Sequence, residues 1–283
     1  MKRAALATLA AAAVGCGGGA PLLHPARTLP NGDMRLSTGV AANAAVGSAA
    51  DDVRTARDIA ARDPQAPGAP GTNPAYAKGA LVLAAIAPGL SPFVGARIGI
   101  GSAFEGGLAY TGRSVRVDLR RSFELGDNED SVLAPSRRSG FTFSAGIGGS
   151  AALWGRQQGS DLPNVDLSSL RGYGADVPLL FGWQSNDSIY MVWTGVRGGF
   201  DFLSVEALTS EPKSTPVGTP PINLDARRFY GGGVFGLGTG FRHVHVALEL
   251  QAAYQAVSGK YNDNRVSVSG LTISPATALW WTF

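Results

Sequence analysis

The fold is decided by residues 271–283, Leu-Thr-Ile-Ser-Pro-Ala-Thr-Ala-Leu-Trp-Trp-Thr-Phe. Counted back from Phe283 in steps of two, Trp281 and Leu279 share one face, while Trp280 and Ala278 share the other. This period of two predicts a β-strand. Three aromatic residues within four positions are unusual at a water-exposed end, which frays and gains nothing from them. We therefore expect this strand to be covered by something other than water.

Composition favours a single β domain. A chain of 283 residues suits one large all-β domain. Charged residues make up 16%, apolar residues 45%, and there are 39 glycines, which excludes a disordered tail or a long-helix protein. The formal net charge of +3 includes Lys2 and Arg3, and without them it is 3 − 2 = +1. Such a charge indicates no nucleic-acid partner, but composition alone still permits a soluble β-sandwich.

Alternating residues predict nine further strands. The clearest case is 113–123, where Val115 and Val117 alternate with Arg116 and Asp118. With the last strand the predicted set has ten members: 34–46, 93–100, 104–110, 113–123, 139–153, 174–184, 188–205, 227–240, 243–257 and 265–283.

A helical insertion is predicted between the first two strands, at about 51–90. Residues 51–62 have the apolar spacing of a short polar helix that ends before Pro64. Residues 76–87 form an apolar helix, too short to span a bilayer, which needs about 20 residues. This second helix is expected to cap or plug the mouth of a barrel, to lie at a membrane interface, or to be buried against the rest of its loop.

The alternating final strand, with its terminal Phe283, resembles the closing strand of bacterial outer-membrane β-barrels. The resemblance implies an all-β fold, an antiparallel up-and-down transmembrane β-barrel of about ten strands, with a helical external loop after the first strand. It also implies a location in the bacterial cell outer membrane, contact with its lipid, and recognition of the C-terminal strand by the barrel-insertion machinery. Most long predicted loops then fall outside and most tight turns in the periplasm, with 124–138 as the exception.

The N-terminus predicts export. Lys2-Arg3 precedes an apolar run at 4–14, which predicts a signal peptide at 1–15. Cys16, the single cysteine, follows Ala13-Val14-Gly15, which resembles a bacterial lipoprotein cleavage box. The resemblance implies lipidation of Cys16, with fatty acids such as palmitate, and a tether at 16–33 before the barrel at 34–283. The alternative is an ordinary signal peptide cleaved near Ala13, with Cys16 as a spare thiol.

Charged residues of the second to fourth strands form one candidate site. In a barrel surrounded by lipid, the apolar faces point outward and the charges face the lumen. Mixed signs on adjacent strands favour cross-strand ion pairs that fill a narrow lumen, because a buried charge left alone is costly. A selectivity lining for an anionic solute is the alternative. The residues of this lumen network are Arg97, Glu105, Arg116, Asp118 and Arg120.

His243 and His245 form a second candidate lumen site, with Glu249 further along the same face. Two histidines at i and i+2 on a strand could share a zinc-like ion with a carboxylate. No third strong ligand is apparent, so we expect hydrogen-bonded lumen residues, no metal and no cofactor. The pattern also indicates no catalytic residues, because neither histidine has a serine at the spacing of barrel hydrolases.

These features predict a lipid-anchored outer-membrane barrel with a structural or surface-interaction role, not an enzyme. Its predicted external loops, notably 47–91 and 206–226, would contact partners. One alternative is a passive channel or hydrophobic-solute transporter, with a small solute in the lumen and the 76–87 helix as plug or gate. A second alternative is a lipid-modifying barrel enzyme.

Overall fold

The computed structural model is a closed, antiparallel, ten-stranded β-barrel. It describes residues 21–62, 73–126, 139–152, 167, 169–205, 223–261 and 264–283. Each strand pairs with its neighbours in sequence, and the first strand pairs with the last. The elements in chain order are β1 (Met34–Val46), α1 (Ser48–Arg62), α2 (Pro74–Ala85), β2 (Gly89–Gly101), β3 (Phe104–Tyr110), β4 (Ser114–Leu125), β5 (Gly140–Ala152), β6 (Arg171–Gln184), β7 (Tyr190–Val205), β8 (Leu224–Phe241), β9 (Val244–Tyr261) and β10 (Asn264–Thr282).

The predicted fold class is confirmed, including the number of strands, the up-and-down order and the helical insertion after the first strand. The main difference lies between the last two strands, where we predicted a loop at 258–264. The β9–β10 ladder continues through Ser258 paired with Ser267 and Lys260 paired with Arg265. Backbone hydrogen bonds hold this part of the ladder although its side chains no longer alternate between apolar and polar.

β10 closes the barrel against β1. The register pairs Arg35 with Thr282 and Val46 with Leu271. Trp281 and Leu279 point outward, whereas Trp280 is completely buried inside the barrel. The two predicted faces of the final strand are therefore the two faces of the barrel wall.

The barrel wall is apolar outside and polar inside. Along β9 every outward residue from Val244 to Ser258 alternates with a buried one. Large apolar side chains are exposed on all ten strands, for example Leu248 at 54% and Val117 at 58%. The five charged residues of the predicted lumen network on β2, β3 and β4 are buried, with Glu105 at 0% exposure. This inverts the arrangement of a soluble protein.

The two helices lie at one end of the barrel, which we name the distal end; the end at which the chain enters β1 and leaves β10 is the proximal end. Asn73 caps α2 by accepting a hydrogen bond from the backbone of Ala75, and Pro74 begins the helix, a favoured position for proline. All described residues of α2 from Ala80 onward are buried. They pack against inward side chains of β7–β10, including Leu203, Leu224, Val257 and Val266. Of the positions predicted for this helix, the structure shows two together: α2 caps the lumen, and it is also buried against α1 of the same loop through Ala49, Val53 and Ala56.

No helix in the described part of the chain, neither α1 nor α2 nor the single 3₁₀ turn Asn186–Ser188, is long and apolar enough to cross a membrane.

Residues 21–29 are buried inside the proximal half of the lumen, where the sequence led us to expect part of a loose tether at 16–33. We name residues 21–29 the plug. Pro21 and Pro25 have no backbone N–H, so the segment has fewer donors to satisfy away from a sheet. The turn that connects it to β1 is held by the backbone of Gly32, which donates to the carbonyl of Gly99 at 2.9 Å. The physical reason for the burial is that lumen side chains hydrogen-bond the plug backbone.

Candidate functional site: the occluded lumen

A continuous chain of ion pairs crosses the lumen. It begins at Arg120, whose Nη2 lies 2.8 Å from Glu105 Oε1. Arg97 bridges Glu105 and Asp118. Arg116 lies 2.5 Å from Asp118 and 2.8 Å from Asp176, which also pairs with Arg197 at 2.9 Å. Every acid in this chain contacts two arginines, so each buried charge has partners of opposite sign.

The strand register explains why these groups meet. Glu105 lies directly opposite Arg120, and Asp118 lies opposite Gly107, between β3 and β4. Gly107 has no side chain, which leaves room for the Arg97 guanidinium; a Cβ there would lie 2.7 Å from Arg97 Nη1. Asp176 on β6 is reached across β5 because Gly148 leaves similar space beside Arg116. The glycines between charged positions therefore provide volume for long arginine side chains.

The plug is bound by three charged residues of the wall. Glu249 accepts hydrogen bonds from the backbone nitrogens of Leu22 and Leu23, both at 2.7 Å. Glu105 accepts one from Leu29 at 2.8 Å. Arg120 donates to the plug carbonyls, the shortest contact being 2.5 Å to that of Pro25. The wall thus replaces the hydrogen bonds that water would make with the plug backbone.

Apolar contacts hold the other side of the plug. Leu22, Leu23 and Ala26 belong to a buried cluster that includes the indoles of Trp193 and Trp280. These two rings have centroids 5.8 Å apart, and Trp193 Nε1 donates to Glu249 at 3.2 Å. We name the Trp193–Trp280 pair the aromatic floor. The Glu249 carboxylate therefore contacts both the plug and this aromatic floor.

The buried environment of His24, in the plug, strongly changes the pKa of its imidazole. It is 1% exposed, and its Nε2 has no hydrogen-bond partner among the residues described. Burial, followed by the charges of Arg120, Arg97 and Arg116, lowers the pKa of His24 well below its usual 6.5. The plugged state therefore holds this imidazole neutral.

The distal occlusion is made by the C-terminal end of α2. Its last carbonyls point into the lumen and accept hydrogen bonds from wall residues. Arg228 donates to Ala85 at 2.7 Å, and Asn43 donates to Ile86 at 2.5 Å. The guanidinium of Arg113 donates to the carbonyl of Ala84. Cations at a helix C-terminus also complement its dipole, so α2 is oriented as well as buried.

A polar cavity of about 80 Å³ lies between the two occlusions. Its wall includes Ala85 of α2, Arg116 of the ion-pair chain, Tyr230 and Gln255. The amide oxygen of Gln255 is buried without a partner in the described residues. A cavity of this size has room for a few water molecules, which would satisfy that oxygen.

The structure brings together all five residues of the lumen network predicted from sequence, Arg97, Glu105, Arg116, Asp118 and Arg120. Sequence reasoning missed their partners Asp176 and Arg197, although both alternate with apolar residues on predicted strands. It also missed the pair formed by Arg228 and Asp201, whose Nε and Oδ2 are 2.6 Å apart. Alternation could have identified these positions; it could not have identified which side chains meet.

The candidates His243, His245 and Glu249 have different environments. His243 precedes β9 in an exposed turn, where its Nδ1 lies 2.7 Å from the carbonyl oxygen of Thr282. His245 is buried in the wall, and Glu249 is engaged by the plug. Within the described ranges, no cluster of three or more metal-ligating side chains is present. Cys16 and the predicted signal peptide at 1–15 lie outside the described residues, and their roles remain predictions.

A scan against models of known protein families gives no match, and a search of curated proteins finds no similar sequence. The class of this protein therefore follows from its geometry: an antiparallel ten-stranded barrel whose apolar face points outward and whose lumen is filled by its own chain.

Proposed function

We propose that this protein is an integral barrel of the bacterial outer membrane, with a structural or surface-interaction role and no enzymatic activity. In this orientation the proximal end faces the periplasm and the distal end faces the outside. The distal connections would contact partners, and the C-terminal strand would engage the insertion machinery. The proposal includes a lipid anchor on Cys16.

The exposed apolar belt carries this proposal. On β9 it extends from Val244 to Tyr254, which is roughly 34 Å along the strand at about 3.4 Å per residue. A tilt of about 40° reduces this to a height of roughly 26 Å, close to the ~25 Å apolar band of transmembrane barrels. Soluble proteins rarely expose such a large area of leucine, valine and aromatic side chains to water, because that exposure is unfavourable. Hydrocarbon is the medium that matches it.

The occluded lumen favours a non-conducting barrel. The plug fills the proximal half, and α2 fills the distal half. Both occlusions are hydrogen-bonded to the wall through buried charged side chains, as described above. An open pore would need a continuous water-filled path, and these two segments interrupt it.

Cell fractionation combined with heat-modifiable gel mobility tests the membrane assignment. We expect the protein in the outer-membrane fraction, with a folded form that migrates differently from the boiled form. Recovery as a monomer in detergent-free buffer would contradict the proposal. The Cys16→Ser variant tests the anchor separately: it should lose incorporation of labelled palmitate while the barrel still folds.

A gated channel is the second candidate, favoured by the way the occlusions are attached. The plug and α2 contact the wall through side chains and do not form part of its β-ladder. Their removal would leave a lumen lined by charges. Planar-bilayer recordings of variants lacking residues 21–29 or 74–85 distinguish the candidates: a channel should show conductance that rises in the deletions and occurs as rare openings in the intact protein.

A further inference from the structure

A group of cationic side chains lies on the outer surface of the barrel at its distal end. Arg171, Arg227, Lys260 and Arg265 are exposed there. The cross-strand register places Arg171 opposite Ser204, then Asp225, Lys260 and Arg265 in one row over β6–β10. A row fixed by backbone pairing holds its charges at defined spacing. Arg227 lies beside this row, two positions along β8 from Asp225 on the same outward face and opposite Ser258. We name Arg171, Arg227, Lys260 and Arg265 the distal basic row.

This row lies just beyond the apolar belt. On β9 the outward residues after Tyr254 are Ala256, Ser258 and Lys260. On β10 the sequence of outward residues from the belt is Leu271, Ser269, Ser267 and Arg265. Both strands therefore pass from apolar to hydroxyl to cationic side chains within about 20 Å along the strand. That order matches the passage from hydrocarbon to lipid headgroup.

The charges of the row are largely unneutralised by the described chain. Asp225 is the acidic residue in this row, and its carboxylate already accepts a 2.8 Å hydrogen bond from Ser204. Among the described residues, no acidic group lies within ion-pair distance of Arg171, Lys260 or Arg265. Among the residues that the structure describes, four cations face one anion, so the patch attracts an anionic partner.

The row borders an open cleft of about 980 Å³ with an aromatic side. Tyr173 and Phe202 contact each other there with ring centroids 5.3 Å apart, and the Arg227 guanidinium lies 5.6 Å from the Phe202 ring. The outward positions of β1–β5 at the same end carry no charged side chain among the residues described, but instead Val46, Leu90 and Tyr110. The feature is thus confined to one side of the barrel, as expected for a site and not for a general interfacial girdle.

We infer that the cleft beside the distal basic row binds the phosphorylated headgroup of an anionic lipid. The arginines and the lysine would contact the phosphate, and the aromatic rings would pack against the remainder of the headgroup. The lipid chains would lie along the belt formed by Phe229, Tyr254 and Leu271. The inference rests on the proposed membrane location, because a lipid is the partner whose apolar and anionic parts fit both surfaces at once.

Lipid retention measured by native mass spectrometry tests the inference. The protein is folded into phosphatidylcholine vesicles containing a minor fraction of phosphatidic acid, extracted in mild detergent and examined for bound lipid. Phosphatidic acid should be enriched on the intact protein. The triple variant Arg171→Gln, Lys260→Gln, Arg265→Gln should lose this enrichment by at least about tenfold, since three of the four cations that attract the phosphate are removed.

A matched control carries Arg121→Gln and Arg242→Gln at the proximal end, where both arginines lie over outward aromatic rings. It should retain phosphatidic acid as the intact protein does. Three results would overturn the inference. The triple variant could retain as much phosphatidic acid as the intact protein, or the control could lose as much as the triple variant. Displacement of the lipid by inorganic phosphate would also contradict it. Heat-modifiable mobility in pure phosphatidylcholine separates the two proposals: if the barrel inserts there without lipid preference, the membrane assignment stands and the headgroup site fails.

Discussion

The carboxylate of Glu249 accepts a 2.7 Å hydrogen bond from the backbone nitrogen of Leu22, which joins the middle of β9 to the N-terminal segment 227 positions away in sequence. A second bond at the same distance reaches Leu23. These contacts hold the plug, residues 21–29, inside the barrel.

Replacing Glu249 with Leu should release the plug. Two backbone donors and the Trp193 N–H would lose their acceptor, at a cost of about 3 kcal/mol for charge-assisted hydrogen bonds. Limited trypsin digestion measures the release, because cleavage after Arg27 requires the plug to leave the lumen. Gln251→Leu, at the next inward position on the same strand, is the control and should leave Arg27 protected. Equal protection in both variants would show that Glu249 does not hold the plug.

Replacing Asp176 with Ala should destabilise the barrel by about 3–5 kcal/mol, because Arg116 and Arg197 would each lose a buried partner. Urea unfolding followed by tryptophan fluorescence measures the change. Asp51→Ala serves for comparison: its pair with Arg54 on α1 is exposed and should contribute under about 0.5 kcal/mol. Similar effects for the two substitutions would contradict the importance of the ion-pair chain.

Lowering the pH below about 6.5 should favour release of the plug. The pKa of His24 is lowered by burial when the plug is bound, so the released segment takes up a proton that the bound segment does not. The bound state is therefore relatively more stable above pH 6.5 and loses stability as the pH falls. Trypsin cleavage at Arg27 between pH 7.5 and 5.5 measures the effect, and His24→Gln should remove this part of the pH dependence.

Replacing Gly236 with Ala should disturb the aromatic floor beneath the plug. A Cβ at this inward position of β8 would lie 2.0 Å from Trp193 Cε2, so the indole would have to move. We expect a destabilisation of about 1–3 kcal/mol from overpacking and a changed near-UV circular dichroism signal. Gly233→Ala on the outward face has its nearest neighbouring atom at 3.9 Å and should be nearly neutral.

The alternating residues of the sequence determined the barrel wall. Period two is a local property of extended backbone, so Val115, Arg116 and Val117 predict their own faces without knowledge of any partner. The same pattern placed Arg97, Glu105, Arg116, Asp118 and Arg120 on the inner face. The pattern could also have placed Asp176 and Arg197 on the inner face, but it could not supply which side chains meet there, such as Arg116 on β4 with Asp176 on β6.

The interior contents were decided by tertiary structure alone. Nothing periodic marks residues 21–29 as a plug, because an irregular segment is stabilised there by Glu249, Glu105 and Arg120, which come from three separate strands. The apolar helix α2 was predicted as a helix, but its place in the distal lumen depends on contacts with inward side chains of β7–β10. Local sequence specifies the direction in which a strand residue points; only closure of the barrel specifies what it meets inside.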